Sequence, residues 1–99
     1  MSFTVDAAII QQIGAIIRES VAEDWIQEFE ISADTSFNDD LELESIEFVT
    51  IAAGLQQHFG ERVDLIGWLA TKAFDELIAL RVGNVAEFVS TRLADSRHP

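Results

Sequence analysis

Residues 38–49 read NDDLELESIEFV and set five carboxylates around one serine, Ser45. Such a cluster could serve nucleophilic catalysis, cation binding or the attachment of a group to the hydroxyl. Catalysis fails on spacing. Ser45 lacks the G-x-S-x-G turn of a hydrolase nucleophile. The nearest histidine, His58, stands further along what reads as the same helix. At 1.5 Å per residue it is about 20 Å away, far outside a hydrogen-bond reach of about 3 Å. A calcium loop fails on two residues. A frame starting at Asp34 offers Ser36, Asn38 and Asp40 as ligands. It then puts Asp39 where glycine must turn the chain, and Ser45 where a bidentate glutamate must close it. His58 and His98 are isolated, so no zinc site forms, and a glycine-rich phosphate cradle is absent.

Attachment remains. A phosphate ester on Ser45 would sit at the positive end of a helix, where backbone N–H groups favour an anion. The surrounding acids would then dock a basic enzyme. The plainer reading is that Ser45 is only a helix N-cap.

The elements that must position this serine are helical. The chain has 99 residues, 48% of them hydrophobic, enough for one domain over 1–99 with one core. With one proline, five glycines and no repeat, nothing suggests a linker. Residues 5–22 carry Ile9, Ile13, Ile16, Ile17 and Ser20 on one stripe, with Thr4 as N-cap and Asp6 in the first turn. Residues 23–44 lose that period and read as a long loop, anchored by Ile31, Phe37, Leu41 and Leu43. The second helix, about 45–59, has two apolar stripes. Phe48, Ile51, Ala52, Leu55 and Phe59 suit the core, while Ile46, Val49 and Ala53 form a contact surface beginning beside Ser45. In 64–80 a stripe at 66, 69, 70, 73, 74, 77 and 78 predicts one or two short helices, most simply additional core, with Trp68 on the opposite side. A last helix is expected from 85 to about 94, with Asn84 and Glu87 at capping-box spacing and a frayed tail from about 95. The sum is an all-α, four-helix bundle with a long loop between the first two helices and an extended third-helix region.

Charge narrows the partners. Six Lys+Arg against eighteen Asp+Glu give a net −12. Such a surface repels nucleic acid and anionic lipid and attracts basic protein patches. No apolar run approaches a membrane span, and MSFTVDAAII lacks the basic start of an export signal. A cytoplasmic monomer is expected. The absence of cysteine excludes a disulfide framework and a cysteine nucleophile.

ISADTSFNDDLELESIEFVTIAAGLQQHFG resembles the central signature of acyl carrier proteins, in which a turn-rich loop leads through an acidic-Leu pair into a D-S-L motif opening the second helix. The matching residues are Asp40-Leu41, Glu44-Ser45-Ile46, Val49 and Phe59-Gly60. VGNVAEFV resembles the start of the family's last helix. The resemblance implies that a Mg²⁺-dependent phosphopantetheinyl transferase moves 4′-phosphopantetheine from coenzyme A onto Ser45. The arm's thiol then carries an acyl group to lipid, fatty-acid or secondary-metabolite enzymes, and the protein itself is not an enzyme. Asp39, Asp40, Glu44 and Glu47 would meet arginines and lysines of partners, and Ile46, Val49 and Ala53 would supply the apolar footprint. The chain departs from the pattern at Glu44 for Asp, Ile46 for Leu and Glu42 for a common glycine. Thr50, Gln56 and Gln57 replace acids frequent on the second helix. The region after Gly60 is longer than usual; it is either core or an addition that shapes an acyl cavity or an interface, with Trp68 as candidate contact. An aminoacyl or peptidyl carrier is the nearest variant. An acidic adaptor without a prosthetic group is the rival from another class.

Overall fold

A computed structural model describes residues 7–21 and 23–95. Thr4 and Asp6, expected to start the first helix, lie outside these residues, as does the tail from 96 onward. Among the described residues there are five α-helices: α1 (Ala7–Ser20), α2 (Ser45–Phe59), α3 (Leu65–Ala70), α4 (Phe74–Ile78) and α5 (Val82–Asp95). The three long ones, α1, α2 and α5, form a bundle, with α1 against both others and α3 on α2. Among the described residues, no helix is long and apolar enough to cross a membrane.

The expected stripes set the packing. Ile9, Ile13 and Ile17 of α1 are buried, and so are Ile51, Ala52 and Leu55 of α2. Their period of about 3.6 residues puts each set on one side of its helix. At the crossing, a Cβ on Gly54 would come within 3.1 Å of Ile16 Cγ2, so a residue without a side chain lets the helices approach. Gly60 closes α2 at φ 83°, a conformation that glycine adopts without steric cost.

The long loop is pinned at both ends. Its first part contains a 3₁₀ turn (Asp24–Gln27) that buries Ile26. Arg18 of α1 donates from Nη2 to the Phe29 carbonyl at 3.0 Å. Its second part buries Phe37 and Leu41, with Ile31 and Leu43 packed against the core, as their spacing suggested. It is also stitched to the start of α5. Phe37 N–H donates to Leu80 O at 3.2 Å, Val82 N–H to Thr35 O at 2.9 Å and Gly83 N–H to Ala33 O at 2.7 Å.

Two expectations need correction. Most of the stripe over 64–80 is not additional core: Ile66, Phe74 and Ile78 are exposed, Leu69 alone packs against the core, and the buried residues of the segment, Leu65 and Leu80, lie off the stripe. The chain breaks between Ala70 and Phe74 into two short helices, so one continuous period cannot hold. Glu76 accepts the Ala73 N–H at 2.8 Å and starts α4 afresh. The last helix begins at Val82 rather than 85. Asn84 does not cap it; its Oδ1 reaches back to the Arg81 N–H at 2.8 Å, satisfying one of the donors that a helix start leaves over.

Glu42 stands at φ 49° at the end of the loop, in the left-handed region that an L side chain resists by about 1–2 kcal/mol. Glu42→Gly removes that strain but adds freedom to the unfolded chain worth roughly 0.5–1 kcal/mol. The expected net effect is a gain of about 0.5–1 kcal/mol, read as a raised urea midpoint at unchanged slope.

Candidate functional site

Ser45 is the first residue of α2 and is exposed. Glu44 precedes it as the N-cap, with extended backbone (φ −77°, ψ 161°). Its carbonyl accepts the Phe48 N–H at 3.0 Å, and its own N–H donates to Glu47 Oε1 at 3.0 Å. The helix start is therefore closed by the two glutamates that flank Ser45, both at the end where negative charge is favoured. The Ser45 hydroxyl makes no hydrogen bond among the described residues. The reading of Ser45 as N-cap is thus corrected: Glu44 holds that position, and the serine oxygen is uncommitted.

The acids before the helix divide by task. Asp40 Oδ2 accepts the Ser36 N–H at 2.7 Å, and the Asp39 N–H donates to Ser36 Oγ at 3.0 Å. Asp40 thereby folds the turn that precedes Ser45. Asp39 keeps a carboxylate at the surface, touched by Asn38 Nδ2 at 3.1 Å. Asp39, Asp40 and Glu44 are exposed and Glu47 half-buried. Among the described residues no group of three or more His, Asp or Glu side chains gathers as metal ligands would.

Ile46 and Val49 stand out at 71% and 62% exposure, and Ala53 follows them on the open side of α2. The second apolar stripe is real and uncovered. Of the three non-acidic positions noted on this helix, Gln56 is committed to structure. Its Nε2 donates to Gly60 O at 2.8 Å and its Oε1 accepts the Ile66 N–H at 3.0 Å, tying α2 to α3. Thr50 donates to its own helix at Ile46 O, 2.9 Å.

A cleft of about 290 Å³ opens beside Ser45. One wall is Ser45, Phe48 and Val49 of α2, and the facing wall is Phe74, Leu77 and Ile78 of α4. Phe37 and Leu43 of the loop also line it. The α4 wall is what sequence reasoning missed, because Phe74 and Ile78 were placed in the core stripe. The signal was present in Asp75 and Glu76, two acids suited to a new first turn. Phe74 is 77% exposed, and nothing in the core requires it there.

Trp68 lies elsewhere. It is half-buried and stacks on Phe88 of α5, with ring centroids 4.4 Å apart and planes 7° from parallel. Lys72 Nζ stands 4.4 Å from its centroid. It was expected off the buried stripe, but the side of α3 that it occupies is covered by α5.

The site suits a phosphorylated group on Ser45. The oxygen is open and uncommitted, it stands at the end of α2 where negative charge is favoured, and an apolar cleft begins alongside. A family model described as the phosphopantetheine attachment site matches residues 12–66, more than half of the chain, and this range holds α2 and the loop before it. No curated protein and no solved structure matches the chain.

Since Glu44 and Glu47 rather than Ser45 close the helix, Ser45→Ala should change stability by less than about 0.5 kcal/mol in urea unfolding. Glu47→Ala should cost about 0.5–1 kcal/mol, because it frees the Glu44 N–H.

Proposed function

The chain belongs to the phosphopantetheine attachment-site family, and we propose that it is an acyl carrier whose arm is joined to Ser45. The family binds 4′-phosphopantetheine covalently, is not itself catalytic, and works by visiting transferases and other enzymes. The observation that supports Ser45 is its exposed hydroxyl, free of any structural duty, at the open end of α2 inside the matched range. When bound, the arm supplies a terminal thiol that holds an acyl group as a thioester, a thiol that this cysteine-free chain does not itself contain.

The chain's own residues present and steer. In the transfer Ser45 Oγ would give up its proton and bond to the pantetheine-bearing phosphorus of coenzyme A, the pyrophosphate P–O bond breaking and 3′,5′-adenosine diphosphate leaving. The positive end of α2 would favour the negative charge of the resulting phosphodiester. Asp39, Asp40, Glu44 and Glu47 form the acidic rim that arginines and lysines of a Mg²⁺-dependent phosphopantetheinyl transferase and of acyl-transferring enzymes meet. Ile46, Val49 and Ala53 give the apolar part of that contact, with Trp68, half-buried against Phe88, as a further contact through the part that α5 leaves uncovered. Each exposed ion pair contributes under about 1 kcal/mol. The contacts are therefore brief, as suits a carrier that moves between enzymes. We place the whole chain, as one monomeric cytoplasmic domain, in lipid or secondary-metabolite synthesis. The acidic adaptor reading assigned Ser45 only a capping duty, and that duty falls to Glu44.

Intact mass tests the reading. Incubation with a broad-specificity phosphopantetheinyl transferase, coenzyme A and Mg²⁺ should add one phosphopantetheine to the wild type and none to Ser45→Ala. A wild type that stays unmodified, both in this assay and when isolated from its own cell, would sink the proposal. The rate should also fall with salt, as contacts between exposed charges do. Asp39→Lys with Glu44→Lys should slow modification several-fold at low salt and flatten that dependence.

A further inference from the structure

The cleft beside Ser45 ends against two aromatic rings. Phe37, buried in the loop, and Phe48, half-buried on α2, meet edge to face with centroids 5.8 Å apart and planes at 82°. On the far side of this pair lies an interior void among Ile51, Leu55, Leu65 and Leu80. Phe37 and Phe48 border both spaces and are the two residues shared between them. The void measures about 10 Å³, whereas the cleft measures about 290 Å³. A space must reach roughly 10–15 Å³ to take even one water-sized group. The interior is therefore shut to a chain, and the outer cleft is where space exists.

We infer that Phe37 and Phe48 form a partition that limits the length of the apolar acyl chain carried by this protein, a reading that rests on Ser45 as the attachment residue. A chain tethered at Ser45 is held next to the cleft at high effective concentration. Phe74, Leu77 and Ile78 offer it an apolar wall, and burying each methylene there is favourable. The gain stops where the rings stand. The arm shares this cleft of about 290 Å³, so only a limited length of acyl chain fits before the rings are reached. Longer chains leave their ends in solvent or must displace Phe48. The occupant is thus a short to medium-length apolar acyl group. A polar aminoacyl group gains nothing from these walls.

The pair also explains why Phe48 is the ring to change. Phe37 is buried where the loop meets the core, so loss of its ring leaves a cavity there and disturbs the fold. Phe48 sits on a helix whose backbone stands without it.

The test loads wild type, Phe48→Ala and the milder Phe48→Leu with butyryl, octanoyl or palmitoyl phosphopantetheine, using the acyl-coenzyme A thioesters. Mass spectrometry first confirms one arm on each protein, and thermal melting is then recorded. In the wild type the melting temperature should rise from butyryl to octanoyl and then stay level for palmitoyl. In Phe48→Ala, palmitoyl should exceed octanoyl by at least about 4 °C; Phe48→Leu should lie between, and carries the comparison if the alanine variant does not fold. A wild type that gains as much from palmitoyl over octanoyl as the variants do would overturn the partition. So would melting temperatures independent of chain length in all three. Absence of any arm at Ser45 in the mass spectrum is a different failure: it removes the attachment reading, and the partition with it.

Discussion

Three backbone hydrogen bonds between residues 33–37 and 80–83 hold the functional end of the molecule together. They join the last part of the long loop to the start of α5, and α4 ends just before that junction. The loop beyond the junction leads into Ser45. Both walls of the cleft thus depart from one small crossing of chain. Phe37 sits at the crossing with its ring buried and its N–H bonded to Leu80, so the position of α4 relative to α2 is set by backbone geometry as well as by apolar contact. A loop of more than twenty residues would otherwise carry a large freedom, which would blur the placement of the serine.

Much of this was legible in the sequence where the pattern was long enough to carry a period. The fifteen residues of α2 span about four turns. Over that length Ile51, Ala52 and Leu55 separate cleanly from Ile46, Val49 and Ala53, and the structure buries the first set and exposes the second. The loop anchors were legible for another reason: isolated large apolar residues in a polar stretch have little reason to stay in water. Gly60 was readable as a helix end because a positive φ is inexpensive for glycine.

What escaped reading lay in short elements. α3 and α4 have six and five residues, too few for a helical period to distinguish buried from exposed sides. The apolar residues of both therefore merged into one apparent stripe, and Phe74 and Ile78 were placed inside. The capping of α2 escaped for a different reason. A serine beside a helix start is the usual cap, and only the geometry shows that a glutamate holds the position while Glu47 reaches back to its N–H. Asn84 was misplaced in a related way, since the same side chain can serve from the cap or from the first turn. Gln56 looked like a lost acid on a contact surface and proves to be a strut between α2 and α3.

The division of labour at the start of α2 also bears on the order of events in the cell. Helix closure belongs to Glu44 and Glu47, and the Ser45 oxygen takes no part in it. Folding can therefore be completed on the ribosome's product as it stands, before any enzyme has touched the serine. With the arm on Ser45 as proposed, maturation would be a separate decision, made on a finished surface, and its reversal would leave that surface intact. Supply of the folded chain and supply of the working carrier can then be set independently, the first by synthesis and the second by the enzymes that add or remove the group.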